Sequence, residues 1–484
     1  MDSGRFGNSS RFGAVLRRFC VGGRGRMSLQ SVLLAGYAVT NQAVAEQLVQ
    51  RGHQVVAADD LADQAVGERA QSHAASLRLE LRQRPSEAEW ANLVRNVDVV
   101  VPTPGLTESH PVFAEAAAAE VPIISEFDLA QRWDSRSNLA VTGTNGKTTV
   151  TVMAAAMLEA AGIATSIAGN TDTPLVEAIR DPQPQVFVVE ASSFRLGHSS
   201  AYRPEVAAWL NFSADHLDVH ASLDSYRDAK AAIWRCADSA TTAIVNLNDP
   251  VVVAHAPSFH AEKSCKVVTF GLGQGDFRLA QGALWAHHHK LVDISELQRR
   301  LPHELSNLLA AAAVATAGGA TSDALRQAML EWQGLAHRVW LVGQYDGVSY
   351  YDDSKATSPH AVCAAVRSLV QGSHYEPHHK VALIAGGRNK GLDLSPMAAL
   401  AEVLRVVVVI GEAASDLEQV FVGSCPTMSA SSMSQAVKLA TDRAQPGEAV
   451  ILSPGCSSLD WYGSYVERGE HFCEAVRALI GGSP

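Results

Sequence analysis

The chain has 484 residues, 47% hydrophobic and 18% charged, too long for one hydrophobic core and in the range of about three domains. A net charge of −11 excludes a general nucleic-acid or membrane-surface binder, because both depend on excess Lys and Arg. No charge-free apolar run of about 18 residues is present, and Cys20, Cys236, Cys265, Cys363, Cys425, Cys456 and Cys473 are scattered without Cys-x-x-Cys spacing, so neither a bilayer span, a disulfide framework nor a structural zinc site is indicated and a cytoplasmic setting is expected.

Residues 1–26 carry six Arg against one acid, Asp2, with no apolar core of signal-peptide type. They read as a disordered extension, either a basic tail or a start-site artefact, since Met27 stands immediately before the first strand-like run. Strand 32–35, a turn at Gly36, helix 42–51 and strand 54–58 then predict a βαβ unit, with Asp59-Asp60 at the carboxyl end of its second strand. A dinucleotide loop would read Gly-x-Gly-x-x-Gly, whereas Gly36-Tyr-Ala-Val-Thr-Asn41 keeps only the first glycine. Strands at 97–101 and 121–124 follow, and this first domain should end near Arg132.

The apolar run 139–141 leads into Gly143-Thr-Asn-Gly-Lys-Thr-Thr149 and an alanine-rich helical segment. That is the setting of a phosphate-cradling loop. Gly143 and Gly146 let backbone N–H groups turn inward, Lys147 supplies a point charge, and Thr148 offers a hydroxyl to Mg²⁺ at the positive end of a helix. Val141 occupies the place of a further glycine in the general pattern, which is matched only in part. Strands at 186–189, 207–210 and 243–245 alternate with helices and predict a parallel sheet. Glu190, closing the first of these, is placed to bind a metal beside the phosphates. Asn211-Phe-Ser-Ala-Asp-His-Leu-Asp218 brings Asp215, His216 and Asp218 to the same sheet edge. Lys230 lies in a helical stretch where a solvated lysine is the ordinary reading, and the residues alone do not select it.

A hairpin with Gln281-Gly282 at its turn, a buried helix from Leu305 to Ala317, and a second hairpin turning at Asp346-Gly347 come next. His287-His-His289 reads as an exposed loop or strand edge, because three consecutive residues cannot all face one ion. Strands at 381–385, 406–410 and 449–452 then predict a third α/β domain. Its loops Asp353-Ser-Lys-Ala-Thr357, Gly386-Gly-Arg-Asn-Lys-Gly391 and Ser453-Pro-Gly-Cys-Ser-Ser-Leu-Asp460 put hydroxyls, lysines and a helix start at one sheet edge, a receptor suited to a small dianion.

From Met27 onward these motifs resemble the Mur ligase family of peptidoglycan synthesis. Gly143–Thr149 is similar to that family's own nucleotide loop, and Glu190-Ala-Ser-Ser-Phe-Arg-Leu196 and the three third-domain loops, with Arg468-Gly469, are similar to its D-glutamate-adding member. The resemblance implies three α/β domains: a Rossmann-like UDP-sugar domain (27–132), a central P-loop-type ATP domain (133–335) and a Rossmann-like amino-acid domain (336–484). It implies a cytoplasmic monomer ligating UDP-N-acetylmuramoyl-L-alanine to D-glutamate with ATP and two Mg²⁺ ions, without nucleic-acid or membrane partners. Gly143, Thr144, Asn145, Gly146, Lys147, Thr148 and Thr149 would hold ATP, and Asn307, Arg338 and Asp353 its base and ribose side. Thr148, Glu190, His216 and a carbamylated Lys230 would hold metal. Lys147, His216, Lys230 and Lys355 would act in catalysis. Gly36, Thr40 and Asp59 would grip the sugar nucleotide, and Thr357, Lys390, Ser458, Leu459 and Tyr465 the amino acid, together with Lys355. Three departures from the family pattern stand out: the glycine-poor loop 36–41, Glu304 after His303 where Asn is usual, and Asn389 where Asp is common. A folate-type amide ligase of the same fold and a non-catalytic nucleotide-binding protein remain alternatives at this point.

Overall fold

The fold is that of a computed structural model describing residues 29–60, 64–217, 219–257, 265–371, 379–389 and 391–481; the expected N-terminal extension, Asp218 and Lys390 lie outside them. Three sheets form, in two compact units. The first unit holds residues up to 212, 216–291 and 308–329, and the second holds 213–215, 292–307 and 330 onward.

In the first unit, β1 (Ser31–Ala35), β2 (Gln54–Asp59), β3 (Glu80–Gln83) and β4 (Val99–Pro102) make a parallel sheet in the order β3-β2-β1-β4. The run Val32-Leu-Leu-Ala35 is buried throughout, as a strand covered on both faces requires. Neither β3 nor the helix Gln64–Ser76 before it was expected: Glu80-Leu-Arg-Gln83 is a polar edge strand burying only Leu81. The expected strand 121–124 is not formed. Only Ile123 bridges to Val100, and Pro122 lends its carbonyl to Val100 N–H (3.0 Å) but has no N–H with which to extend the ladder.

The second sheet has nine strands: β5 (Ser137–Thr142), β6 (Thr165–Gly169), β7 (Val186–Glu190), β8 (Val206–Trp209), β9 (Thr242–Asn246), β10 (Lys266–Leu272), β11 (Phe277–Ala280), β12 (Ala283–Ala286) and β13 (His289–Asp293). Their order is β13-β12-β11-β10-β9-β8-β5-β7-β6. The chain leaves β5 for the β7/β6 side and later returns to its other flank at β8. The carboxyl end of β5 is therefore a switch point, where a parallel sheet opens a crevice for ligands. Gln281 and Gly282 both have positive φ (52° and 71°), the turn that matches strand twist in the β11–β12 hairpin. His287, His288 and His289 are exposed, the first two turning the chain from β12 to β13.

The second unit carries β14 (Trp340–Tyr345), β15 (Val348–Asp352), β16 (Val381–Gly386), β17 (Leu404–Ile410), β18 (Thr427–Ser429) and β19 (Ala449–Gly455), ordered β14-β15-β19-β16-β17-β18. All neighbours are parallel except the β14–β15 hairpin, which turns at Asp346 and Gly347. Because β19 lies between β15 and β16, the loops after these three strands are neighbours at one edge. Cys265, Cys363, Cys425, Cys456 and Cys473 are free thiols, and no helix among the described residues is long and apolar enough to cross a membrane.

Candidate active site

The nucleotide loop joins β5 to the helix Lys147–Ala160, and Gly146 adopts φ +82° as that helix's N-cap. Asn211, just after β8, holds the loop from both directions: its side-chain oxygen accepts from Asn145 N–H (2.9 Å) and its amide donates to the Asn145 carbonyl (3.1 Å). A side chain at Gly143 would press on Leu210 at 3.0 Å. Lys147 bends back to donate to the carbonyls of Gly143 (2.9 Å) and Thr144 (3.0 Å), and Thr148 and Thr149 occupy the half-buried first turn.

Glu190 ends β7, next to β5, and is 4% exposed. Thr148 donates its hydroxyl to one carboxylate oxygen (2.6 Å), and Asn170, following Gly169 at the end of β6, donates to the other (3.2 Å). Gly169 is required there, because a Cβ would stand 2.4 Å from the Glu190 carbonyl oxygen. Carboxylate and hydroxyl oxygens beside a phosphate loop are the hard donors that Mg²⁺ takes, so this set fits the ion. His216, in left-handed conformation (φ 54°), packs edge-on against Phe194 at 4.9 Å. Lys230 is not the solvated lysine of its helical pattern. It is 1% exposed, lies 4.5 Å from the Tyr226 ring centroid, and donates to the Gly143 carbonyl at 2.8 Å. Two ammonium groups thus converge on one oxygen of the nucleotide loop.

In the first sheet a Cβ on Gly36 (φ +81°) would meet a Thr103 methyl at 2.3 Å. Buried Asn41 does the bracing that further glycines would leave undone, donating to the Gly36 (2.8 Å) and Val101 (3.1 Å) carbonyls. Asp59 accepts the Tyr37 N–H, and Thr40 accepts from Arg195 at 3.0 Å.

In the second unit, Lys355, Thr357, Ser458, Leu459 and Tyr465 line one cavity of about 320 Å³ together with Arg388, Leu392, Ser457 and Ser464. The Lys355 ammonium lies 3.9 Å from the Tyr465 ring centroid. Gly386 and Gly387 are needed because Cβ atoms there would stand 2.0 Å from the Ile410 oxygen and 2.2 Å from the Ser457 oxygen. Arg388 and Ser457 then exchange backbone hydrogen bonds (2.8 and 3.0 Å), which locks the loops after β16 and β19 together. Asn389 closes its loop through Leu392, accepting from its N–H (2.8 Å) and donating to its carbonyl (3.1 Å). Arg468, 1% exposed, donates to the Ser354 hydroxyl (3.0 Å), the Ser354 carbonyl (2.9 Å) and the Cys456 carbonyl (3.1 Å). Burial lowers its pKa to about 10, which still leaves it charged at neutral pH. Gly469 makes room for His337 to reach Asp352 (2.6 Å), since a Cβ there would lie 2.2 Å from the His337 ring.

Asp353 accepts from the Ser453 hydroxyl (2.7 Å) and Val339 N–H (3.2 Å); burial lifts its carboxyl to about 7 against these bonds and the nearby Arg338 charge. Asn307 is half-buried in the helix Pro302–Ala317. Glu304 accepts from Leu301 N–H (3.0 Å) and pairs with Arg299. Asn170, Arg195, Asn211 and Arg388 are the side chains that sequence reasoning left without a role. For Asn170 a signal existed in the Gly-Asn pair closing a strand.

Two family models match most of the second and third sheets' span. The Mur ligase middle domain matches residues 141–315, and the Mur ligase glutamate ligase domain matches residues 337–456. The UDP-N-acetylmuramoylalanine–D-glutamate ligase of Syntrophotalea carbinolica is 36% identical over 398 residues, 81% of this chain and 86% of that relative. The enzyme of the same name from Trichlorobacter lovleyi is 34% identical over 449 residues, 92% and 98% of the two chains. Among solved structures, the UDP-N-acetylmuramate-alanine ligase of Thermotoga maritima superposes with a TM-score of 0.52 at 17% identity, covering 93% of this chain and 100% of that one, and shares the fold. The chain belongs to the Mur ligase family.

Proposed function

We propose that this enzyme joins the amine of D-glutamate to the L-alanyl carboxylate of UDP-N-acetylmuramoyl-L-alanine, with ATP converted to ADP and phosphate. The observation that carries this reading is the third-sheet cavity. Five residues expected to meet the amino acid and the reacting carboxylate, Lys355, Thr357, Ser458, Leu459 and Tyr465, line it together, the first two inside the segment 337–456 that matches a glutamate ligase domain and the other three just beyond its end.

The substrate carboxylate attacks the γ-phosphorus to give an acyl phosphate, and the amine then displaces phosphate from the acyl carbon. Gly143–Thr149 bind the triphosphate, with Lys147 exchanging its carbonyl partners for phosphate oxygens. Glu190, Thr148 and His216 would hold magnesium, which would supply neutralising positive charge for phosphoryl transfer when bound. Lys230, if carbamylated, would serve a second magnesium; its burial against Gly143 supports a placed role in preference to a solvated one. Asn307, Arg338 and Asp353 bind the nucleoside side of ATP. Lys355, Thr357, Ser458, Leu459 and Tyr465, with Lys390 after Asn389, take D-glutamate and stabilise the tetrahedral intermediate. Gly36, Thr40 and Asp59 belong to the sugar-nucleotide seat, and domains run over 27–132, 133–335 and 336–484.

Phosphate release measured with D-glutamate, L-glutamate, D-aspartate, L-lysine and a folate acceptor in turn tests the reading. Release that needs both the uridine nucleotide and D-glutamate is expected; equal release with the folate acceptor would replace it. Lys230→Ala should be nearly inactive and partly rescued by a small carboxylate, and normal turnover by that variant would remove the carbamate.

A further inference from the structure

Arg195 is 5% exposed, and its guanidinium is bonded on three sides to three segments of the first unit. Its Nε donates to Glu126 (3.0 Å), one terminal nitrogen to the Thr40 hydroxyl (3.0 Å), and the other to the Asn170 side-chain oxygen (2.9 Å). Glu126 balances its charge and also accepts the Val176 N–H (3.0 Å). The contact to Asn170 fixes the orientation of that amide. With its oxygen taken by Arg195, its NH₂ must face Glu190, where it donates at 3.2 Å; turned over, it would set oxygen against a carboxylate. Glu190 in turn holds the Thr148 hydroxyl.

We propose that Arg195 is a positioning residue that couples occupation of the Gly36–Asn41 loop to the metal-binding carboxylate Glu190, so that sugar nucleotide and magnesium nucleotide bind with positive cooperativity. Thr40 lies within that Gly36–Asn41 segment, in the first turn of the helix Val39–Gln50, so a ligand seated on the segment bears on Thr40. The guanidinium is a planar fork whose donors have fixed directions, so a displacement at Thr40 rotates the contact at Asn170 and resets Glu190. The inference rests on reading Glu190 as a magnesium ligand and the 36–41 loop as the sugar-nucleotide seat.

Calorimetric titration with a non-hydrolysable ATP analogue and magnesium, with and without saturating UDP-N-acetylmuramoyl-L-alanine, tests it without turnover. The wild-type chain should bind the analogue about five-fold or more tightly when the sugar nucleotide is present. Removing Arg195 alone strands the buried Glu126 charge and risks unfolding. The variants are therefore Thr40→Val and the paired Arg195→Met with Glu126→Met, and in both the factor should collapse toward one. A factor unchanged in both, while Glu190→Gln weakens magnesium-nucleotide binding, overturns this inference alone. Unchanged binding in Glu190→Gln overturns the metal reading and the inference with it.

Discussion

The nucleotide loop and the third-sheet cavity are built by one device, βα loops at the carboxyl edge of a parallel sheet, yet they dispose their polar groups differently. Around Gly143–Thr149 the groups are bonded inward: Lys147 and Lys230 share the Gly143 carbonyl, and Thr148 is bonded to Glu190. Around the cavity the bracing lies underneath, in Arg468, Gly386 and Gly387, while Lys355, Thr357 and Ser458 line an open space. The first site must exchange internal hydrogen bonds for phosphate oxygens as ligand arrives, and the second is preformed. A substitution in the loop therefore alters two states of the protein, whereas one in the cavity reports mainly on a ligand contact.

The largest expected effect breaks the loop side of this contrast. Lys147→Ala should lower turnover by roughly 10²- to 10³-fold, the range for a preorganised group aimed at developing charge. Its melting temperature should move little, since Lys147 is half-buried and its bonds to the Gly143 and Thr144 carbonyls brace a surface loop and not the core. A folded variant with near-normal phosphate release would remove Lys147 from phosphoryl transfer. On the cavity side, Ser458→Ala should raise the KM for D-glutamate by roughly 10- to 150-fold, the worth of about 1.5 to 3 kcal/mol for a contact to a charged group, and Lys390→Ala, expected from its motif to meet the same substrate, should do likewise. The KM for ATP should stay put. If instead the ATP KM rose and the D-glutamate KM did not, the cavity would belong to the nucleotide.

What the sequence made legible is what short-range chemistry writes into it. The loop 143–149, both hairpin turns and the three third-domain loops each have a local cause: a phosphate-cradling glycine pattern, a pair of positive-φ residues, or an apolar run ending in hydroxyls. The polar edge strand β3 lacked such a signal because an edge buries only one face in part. Ile123 and Pro122 misled in the other direction, an apolar run with a proline in its middle. Lys230 and Arg195 were not legible from the residues, because their roles depend on partners 87 and 155 positions away (Gly143 and Thr40) and helix periodicity says nothing of such contacts.

Two smaller effects sharpen the contrast. Arg388 lines the cavity while its Nε and a terminal nitrogen are bonded to Glu412 (3.0 and 2.9 Å), with both side chains about half exposed. An exposed, solvent-screened charge of this kind contributes little, so Arg388→Ala should raise the D-glutamate KM by no more than roughly five-fold. Glu412→Gln, which frees the guanidinium from its counter-charge, should lower that KM. Movement of both variants in the same direction would make the pair a structural brace.

The last effect concerns stability and not turnover, at the buried carboxyl of Asp353. Burial raises this carboxyl from 3.8 to about 7, opposed by the Ser453 hydroxyl, Val339 N–H and Arg338. Between those two values the folded state keeps the proton and the unfolded chain has lost it, so the folded state binds more protons. Stability must therefore fall as pH rises from about 4 to about 7, by at most ~1.4 kcal/mol per pH unit, and level off above that window. Asp353→Asn, which carries no titrating group, should lack this contribution. Denaturant unfolding of both proteins at pH 5 and pH 8 measures it: the wild type should lose more stability than the variant across that interval. An equal loss in the two would show that Asp353 ionises in the folded state as readily as in water, and that its surroundings are open to solvent.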